Sequence, residues 1–246
     1  MSLARDGLRE MLLATTTLGA GGAGAIWAAV AVSPWFWALA VPLLAGWIFA
    51  LAFFRDPRRS VPEAPGLMVA PADGKVTEVS RLDRLEGLDG PALKISVFLS
   101  VFDVHINRAP CGGHVVRTEY RPGEFLDARH PESGSRNENN TIVIEPHDDL
   151  GGPVIVRQVA GLIARRIVCN VTPGDTLSRG QRIGMIKFGS RTDLVVPADC
   201  GLEPAVRIND HVKGGETILL RPAKRPAADV GGRAPDERSA PDRALV

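Results

Sequence analysis

The feature that most constrains this chain is a run of about 44 residues, Met11 to Phe54, without an acidic, basic or histidine side chain. A helix crosses a bilayer with about 20 apolar residues, so the run is long enough for two passes. Ser33 and Pro34 divide it, and proline is favoured at the first turn of a helix. We therefore expect residues 1–59 to form a membrane-associated hydrophobic hairpin of two helices.

Basic residues flank the run on both sides: Arg5 and Arg9 precede it, and Arg55, Arg58 and Arg59 follow it. Positive residues next to apolar segments favour the cytoplasmic side, which places both ends of the hairpin there. We expect a protein of the cell (inner) membrane whose remaining chain is cytoplasmic. The first half of the run is rich in glycine, so the sequence leaves open whether the hairpin spans the membrane or lies in it.

The overall composition excludes several classes of protein. The formal net charge is only +1, which does not indicate a nucleic-acid partner. The three cysteines are odd in number and widely spaced, which fits a reducing compartment better than a disulfide framework or a zinc site. Residues 222–246 are rich in Pro, Ala, Arg and Asp, and we expect them to form a disordered tail.

The middle of the chain, residues 60–221, has short apolar runs bounded by Gly, Pro, Asp and Asn, which is typical of a β-rich domain. Alternation from Leu93 to Val101 predicts a strand with one more apolar face. Further strands are predicted at 141–145, 154–159 and 163–171. Residues 121–140 break the pattern and indicate a long exposed loop, and such loops are often functional.

A weak repeat relates residues 171–184 to residues 208–218, since each places turn residues before a valine or leucine, a glycine and a strand. This resembles the hammerhead turn of biotinyl and lipoyl domains. We therefore expect a mainly β fold, a biotinyl/lipoyl-like barrel-sandwich domain carrying the N-terminal hydrophobic helical hairpin. Such carriers attach their cofactor to a hairpin lysine, and Lys187 is the candidate, although its neighbours do not match the Met-Lys-Met of biotin carriers.

A Gly-Ser pair, Gly189 and Ser190, lies between two apolar segments that are predicted strands. Glycine allows close approach to its carbonyl, and the adjoining serine carries a hydroxyl that can attack it once activated. The peptide bond between them could then rearrange to an ester and break, which would make Ser190 a cofactor precursor. An isolated Gly-Ser is otherwise typical of a hairpin turn.

Two further segments carry groups that could activate Ser190. Asp73 lies in a Pro-Ala-Asp-Gly turn that leads into a predicted strand, and Asp103 and His105 follow the predicted strand that ends near Val101. Residues two apart on a strand share a face, so Asp103 and His105 are expected to lie on the same face of the strand end. Alone, Asp73 is also explained by an Asx turn, and His105 by a hydrogen-bonded histidine at a strand end.

Together with the hairpin and the barrel-like turns, these motifs resemble the phosphatidylserine decarboxylases, in particular their short bacterial or archaeal type. The resemblance extends from the hairpin to about Arg221. It implies a self-cleaving pyruvoyl enzyme: Ser190 attacks the Gly189 carbonyl, the ester eliminates, and hydrolysis leaves a covalent pyruvoyl group at the N-terminus of the fragment from Ser190 to Val246. The two cleaved chains would remain together as a heterodimer.

The resemblance also implies the reaction, which is decarboxylation of phosphatidylserine to phosphatidylethanolamine and carbon dioxide. The pyruvoyl group would be the electron sink, a task otherwise performed by pyridoxal phosphate. Asp73 and His105 are the candidates for activating Ser190, and His105 is also the candidate general acid of the catalytic cycle. The substrate would come from the bilayer, an archaeal-type serine lipid stays possible, and no metal is needed.

One departure from the family pattern leaves alternatives open. Longer members have a second histidine three positions after the first, which joins the aspartate and serine in self-cleavage, and Arg108 occupies that position here. Either His105 takes over as base, or Arg108 stabilises the oxyanion and Asp73 acts by another path. The other class of function is a membrane-anchored lipoyl-like adaptor or carrier without catalysis, although adaptors usually insert a long heptad helical hairpin that this chain lacks.

Overall fold

A computed structural model describes residues 2–84, 88, 90–130, 132–148, 151–162, 166–187 and 189–223. The predicted tail therefore lies almost wholly outside the described residues, as do 163–165 of one predicted strand.

The charge-free run forms the expected pair of helices. The helical segments of this N-terminal region are a 3₁₀ turn at Arg5–Gly7, α1 at Leu8–Ala14, a π-helical turn at Thr15–Gly19, α2 at Ala20–Ala31, a 3₁₀ turn at Pro34–Phe36 and α3 at Trp37–Phe53. Across the hairpin, the indole N–H of Trp47 donates to Thr15 Oγ1 at 3.1 Å. The stretches Arg5–Ala31 and Pro34–Phe53 are long and apolar enough to cross a membrane, by length and composition.

The rest of the described chain is built mainly from short strands, as the punctuation by Gly, Pro, Asp and Asn predicts. The strands are β1 Ser2–Leu3, β2 Arg55–Asp56, β3 Met68–Val69, β4 Gly74–Leu82, β5 Ala92–Leu99, β6 Ile106–Arg108, β7 Gly113–Arg121, β8 Asn139–Pro146, β9 Val154–Ala160, β10 Arg166–Cys169, β11 Thr176–Leu177, β12 Arg182–Lys187, β13 Ser190–Pro197, β14 Leu202–Pro204, β15 His211–Val212 and β16 Ile218–Pro222.

An eight-stranded antiparallel sheet, in the order β11-β7-β8-β9-β13-β5-β4-β15, curls around the main core. A three-stranded sheet, β10-β12-β6, carries the strand that leads towards Gly189, and another, β14-β16-β3, completes the domain. The predicted alternation in β5 is confirmed, since Ile95, Val97 and Leu99 are buried in the core. The mainly β fold with an N-terminal helical hairpin is confirmed.

The base of the hairpin packs against the β domain. Phe53 and Phe54 at the end of α3 belong to one buried cluster with Val104, Ile106 and Met185 of the domain. The two-stranded ribbon of β1 and β2 holds the two ends of the hairpin side by side. The hairpin therefore has a fixed orientation relative to β6 and β12, the strands that contain Ile106 and Met185.

The segment 121–140 is only partly the exposed loop that its polar composition predicts. It contains a short helix, α4 at Ser133–Arg136, and the side chains of Ser133 and Asn137 are buried. The Asn137 amide donates to the Ala160 carbonyl at 2.7 Å. Its second half therefore packs against the end of β9, beside the first residue of β13.

Candidate active site

Ser190 is the first residue of β13 and lies between two strands. It is in register with Leu99 of β5 on one side and with Ala160 of β9 on the other. Its side chain is fully buried, and its Oγ has no hydrogen-bond partner among the described residues. A buried unpaired hydroxyl costs about 1–3 kcal/mol, so such a group in a native fold calls for a functional explanation.

Gly189, on the other side of the Gly-Ser bond, has a φ of 60°, in the left-handed region that favours glycine. Its backbone N–H donates to Nε2 of His105 at 3.3 Å. Because a backbone N–H can only donate, Nε2 must be the unprotonated ring nitrogen. The proton is then on Nδ1, which donates to the Asp103 carbonyl at 3.0 Å. The sequence spacing of Asp103 and His105 thus fixes the tautomer through a backbone carbonyl.

The imidazole of His105 is buried, with its ring centroid 4.2 Å from that of Phe53 at the end of α3. Burial lowers the pKa of His105 to about 4, and the hydrogen bond to Asp103 opposes this shift. At neutral pH the ring is uncharged in the intact chain. It can therefore accept a proton there but cannot donate one as an imidazolium.

Asp73, the other predicted site residue, lies at the turn before β4 and bonds elsewhere. Both carboxylate oxygens accept from the Arg59 guanidinium, at 2.8 and 2.7 Å, and one also accepts from the Gly214 N–H at 2.8 Å. Burial raises the pKa of Asp73, against the opposing effect of Arg59. The structure brings Ser190, Gly189 and His105 together, but among the described residues Asp73 makes no hydrogen bond to any of them.

Arg108, in the position of the second family histidine, is a structural residue in this conformation. Its guanidinium donates to Asp56 Oδ1 at 2.9 Å and to the Gly180 carbonyl at 3.0 Å. Arg182 forms a second ion pair with the same buried carboxylate. Arg108 therefore fixes the strand that follows the hairpin, and the arrangement favours His105 as the base.

A cavity of about 360 Å³ adjoins the Gly-Ser bond. It is lined by Phe98, Ser100, Val101, Asp127, Ala128, Arg129, Leu162 and Gly189. Most of this lining is apolar, and the Arg129 guanidinium, ion-paired with Asp127, lies 5.5 Å from the centre of the Phe98 ring. The cavity gives a small amphipathic group access to the Gly-Ser bond.

The sequence model of the phosphatidylserine decarboxylase family matches residues 47–220. The chain belongs to this family. Phosphatidylserine decarboxylase proenzymes from Desulfotalea psychrophila and Rhodopirellula baltica are 47% and 45% identical over 171 and 192 residues, which are 70% and 77% of this chain and 78% and 79% of theirs. The relative from Cupriavidus metallidurans is 46% identical over 77% of this chain and 85% of its own.

The burial and ion pairing of Lys187, the candidate for a carrier lysine, agree with membership of the decarboxylase family. Its side chain is only 7% exposed, and its ammonium pairs with Glu10 at 2.7 Å and donates to the Asp6 carbonyl at 3.0 Å. The lysine of a carrier protein has to be accessible to the enzyme that attaches the cofactor. The carrier alternative is therefore not favoured, and Lys187 instead joins the hairpin to the strand before the Gly-Ser bond.

Sequence reasoning missed several contacts around the decarboxylase site. Arg59 binds Asp73, Phe53 covers His105, and Arg191, the residue after Ser190, binds Asp193 and Ser133. Most of these partners are distant in the chain, so no local motif predicts the contacts.

Gly161 is a further missed residue, and it lies against the bond that would be cleaved. A Cβ atom at this position would overlap the carbonyl oxygen of Gly189 and lie 3.2 Å from its carbonyl carbon. Only a residue without a side chain allows this approach, so Gly161 keeps the Gly189 carbonyl in its observed place.

We expect Gly161→Ala to slow self-cleavage by about 10- to 100-fold, because a small misplacement of reacting groups costs this much. Cleavage is measured as the fraction of intact chain by mass spectrometry over time. Gly112→Ala is the matched control, since its Cβ would meet the exposed His147 ring at 3.2 Å and the Leu177 carbonyl oxygen at 3.5 Å, an ordinary contact distance. Equal cleavage rates in the two variants would remove Gly161 from the site.

Proposed function

We propose that this chain is a proenzyme that cleaves itself between Gly189 and Ser190 and then decarboxylates phosphatidylserine to phosphatidylethanolamine and carbon dioxide. The names of its relatives support the reaction. The observation that carries the proposal is the buried, unpaired hydroxyl of Ser190, adjacent to a glycine peptide whose N–H is held by a neutral histidine.

Self-cleavage begins when Ser190 Oγ attacks the Gly189 carbonyl carbon. A C–O bond forms and the C–N bond breaks, while the hydroxyl proton passes to the leaving nitrogen, with neutral His105 as the base at this peptide. Loss of the Ser190 Cα proton then expels Gly189 as a carboxylate. Water hydrolyses the resulting dehydroalanine, which releases ammonia and leaves a pyruvoyl group on the smaller chain.

The surroundings of Ser190 fit such a group, because the residue is enclosed by two strands and adjoins a mostly apolar cavity. When present, a pyruvoyl group withdraws electrons from the bond to the carboxylate that is lost. The cavity would bind the head group of the substrate and exclude water. His105 would deliver the proton that replaces the carboxylate.

Cleavage itself changes the charge next to His105. It turns the Gly189 carbonyl into a carboxylate on the residue whose N–H is bonded to Nε2. A nearby anion favours the imidazolium and raises the pKa of His105. One histidine can therefore be a neutral base before cleavage and an acid near neutral pH afterwards.

We assign Asp73 a positioning role within the same proposal. Its carboxylate joins Arg59, just after the hairpin, to the Gly214 backbone, and so fixes the turn that leads into β4. Strand β4 is the neighbour of β5, which in turn borders Ser190. Asp73 would thus hold the start of β4 in place next to β5, the strand that borders Ser190.

The two chains would stay together after cleavage as a heterodimer. Strand β13 begins at Ser190 and would belong to the smaller chain, yet it is paired with β5 and β9 of the larger chain over most of its length. Within this proposal, residues 1–59 are the hairpin at the inner membrane, 60–221 the decarboxylase domain on its cytoplasmic side and 222–246 a tail.

The test of the reaction uses purified full-length protein and phosphatidylserine that is radiolabelled in the serine carboxyl. We expect release of labelled carbon dioxide together with two protein fragments on denaturing electrophoresis. A single intact chain with no release above a blank without enzyme would overturn the proposal and restore the adaptor or carrier.

We expect the hairpin to hold the enzyme on the membrane. Because Thr15 and Trp47 are hydrogen-bonded across the hairpin, a short Gly/Ser linker can replace residues 16–46 and leave its packed base in place. This variant should move from the membrane pellet to the supernatant after centrifugation of cell lysates and still cleave itself. Full-length protein is the control, and a variant that stays in the pellet would place the main anchor elsewhere.

A further inference from the structure

Two large apolar side chains of the β domain are exposed beside the candidate site. Phe102 is 74% exposed, in the turn between β5 and β6, and Leu162 is 66% exposed, directly after Gly161. Leu162 and Val101, the neighbour of Phe102, both line the cavity at Gly189. We call Phe102 and Leu162 the apolar rim of this cavity.

The apolar rim is continuous with the hydrophobic hairpin. The Phe102 ring packs edge-on against Phe49 of α3, with centroids 6.1 Å apart at 81°. Phe49 is one turn before Phe53, so it lies about 6 Å from the end of α3 at 1.5 Å per residue. Phe102 therefore lies at the level of the last apolar turn of the hairpin, beside it.

Arg55 marks the height at which this apolar level ends. It is the first charged residue after the run, and its guanidinium donates to the carbonyls of Ala52 and Phe102. Arginines at the ends of apolar helices place their charge among lipid head groups. The backbone of Phe102 would then lie at head-group depth, with its ring facing the acyl chains.

We propose that the apolar rim inserts into the surface of the bilayer, so that the cavity at Gly189 opens at the depth of the lipid head groups. The inference rests on the proposed function, since it explains how a serine head group reaches Ser190 without its lipid leaving the membrane. Exposed aromatic and aliphatic residues next to a membrane segment are stabilised by such insertion. The partner is the lipid surface itself.

The first experiment compares two forms of substrate. In the Phe102→Ser variant, which changes the rim residue that does not line the cavity, we expect decarboxylation in phosphatidylserine vesicles to fall by about tenfold, a loss consistent with the burial of one large apolar side chain. Turnover of a short-chain, monomeric phosphatidylserine and self-cleavage should be unchanged. Val116→Ser, which changes a 54%-exposed apolar residue of β7, is the matched control.

Equal losses on vesicles and monomers, or no loss on either, would overturn the inference while leaving the decarboxylase activity established. Absence of activity on both substrates in the unaltered protein would instead contradict the proposed function. A change in the molecular mass of the Phe102→Ser variant in detergent would show that the rim packs against a second copy, which also overturns the inference.

A second experiment measures insertion without catalysis. In the Ser190→Ala chain with Cys169→Ser and Cys200→Ser, an environment-sensitive dye is attached at Phe102→Cys or, as control, at Val116→Cys. Adding phosphatidylserine vesicles should shift the emission of the dye at position 102 to the blue and leave that at position 116 unchanged. Equal responses at the two positions would contradict insertion of the rim.

Discussion

Ser190→Ala should leave the 26.3 kDa chain whole and abolish decarboxylation. The variant lacks both the hydroxyl that would attack Gly189 and the oxygen that the ester and its elimination require. The unaltered protein should instead yield a small fragment, Ser190–Val246, of about 57 residues. That fragment should resist Edman sequencing, because a pyruvoyl group has no amine. Denaturing electrophoresis, intact mass and release of carbon dioxide measure the three results.

This variant should also be well folded, which keeps the result interpretable. The Ser190 hydroxyl has no partner among the described residues, so its removal breaks no hydrogen bond and relieves an unsatisfied polar group. Thermal unfolding of the variant should occur at or above the temperature of the unaltered chain in its uncleaved form. Ser135→Ala, at an exposed serine of α4, is the control that should cleave normally. Two fragments or labelled carbon dioxide from Ser190→Ala would refute the pyruvoyl hypothesis.

The parts of this architecture that follow from the sequence are those with a local cause. The hairpin follows from the absence of charge over two helix lengths with Pro34 at the turn. Strand β5 follows from its alternation, and the meeting of Gly189, Ser190 and His105 follows from motifs that belong to strand ends.

What could not be predicted depends on contacts between distant residues. The approach of Gly161 to the Gly189 carbonyl needs the ends of two strands to meet, and no spacing in the sequence encodes it. The ion-pair partners of Asp73 and Arg108 are a second example. Each of these residues has an opposite charge at hydrogen-bond distance, Arg59 and Asp56, and buried charges are stable only when paired in this way.

The segment 121–140 is only partly the exposed loop that its composition predicts, for a different reason. Its composition is polar, but its charges pair with one another on the outside, as Arg136 does with Glu124 and Glu132. Its small polar residues, Ser133 and Asn137, can then be buried because each makes hydrogen bonds to carbonyl groups. Composition alone does not distinguish such a segment from an exposed loop.

His105→Gln should separate the two tasks proposed for this histidine. The glutamine amide oxygen can still accept the Gly189 N–H, so the Gly-Ser peptide stays in place, but an amide cannot carry a proton between pH 5 and 9. We expect this variant to cleave, more slowly than the unaltered chain, and to turn over 10²- to 10⁴-fold more slowly, the usual contribution of a general acid. Turnover is measured per mole of cleaved protein, so that slow maturation does not count as slow catalysis.

His105→Ala is the companion variant, because it removes both the hydrogen bond and the ring that packs on Phe53. It should cleave more slowly than His105→Gln, whereas turnover should be low in both. If neither variant cleaves, His105 is essential to maturation, which contradicts the prediction that cleavage continues slowly without it. Normal turnover in His105→Gln would exclude it as the proton donor.

The pH dependence of stability gives an independent test of the neutral imidazole in the uncleaved chain. Because burial holds the pKa of His105 at about 4 in the fold, below its ordinary 6.5, the unfolded chain binds more protons between these values. The histidine's contribution is then fully present above pH 6.5 and is lost as the pH falls towards about 4. Urea unfolding of Ser190→Ala should show this loss, and Ser190→Ala/His105→Gln should show less of it. Turnover of the cleaved enzyme should depend on pH in the opposite direction and fall as the pH rises. The reason is that rising pH deprotonates His105, whose pKa the new Gly189 carboxylate has raised. A turnover rate that does not change with pH around neutrality would contradict the change of role on cleavage.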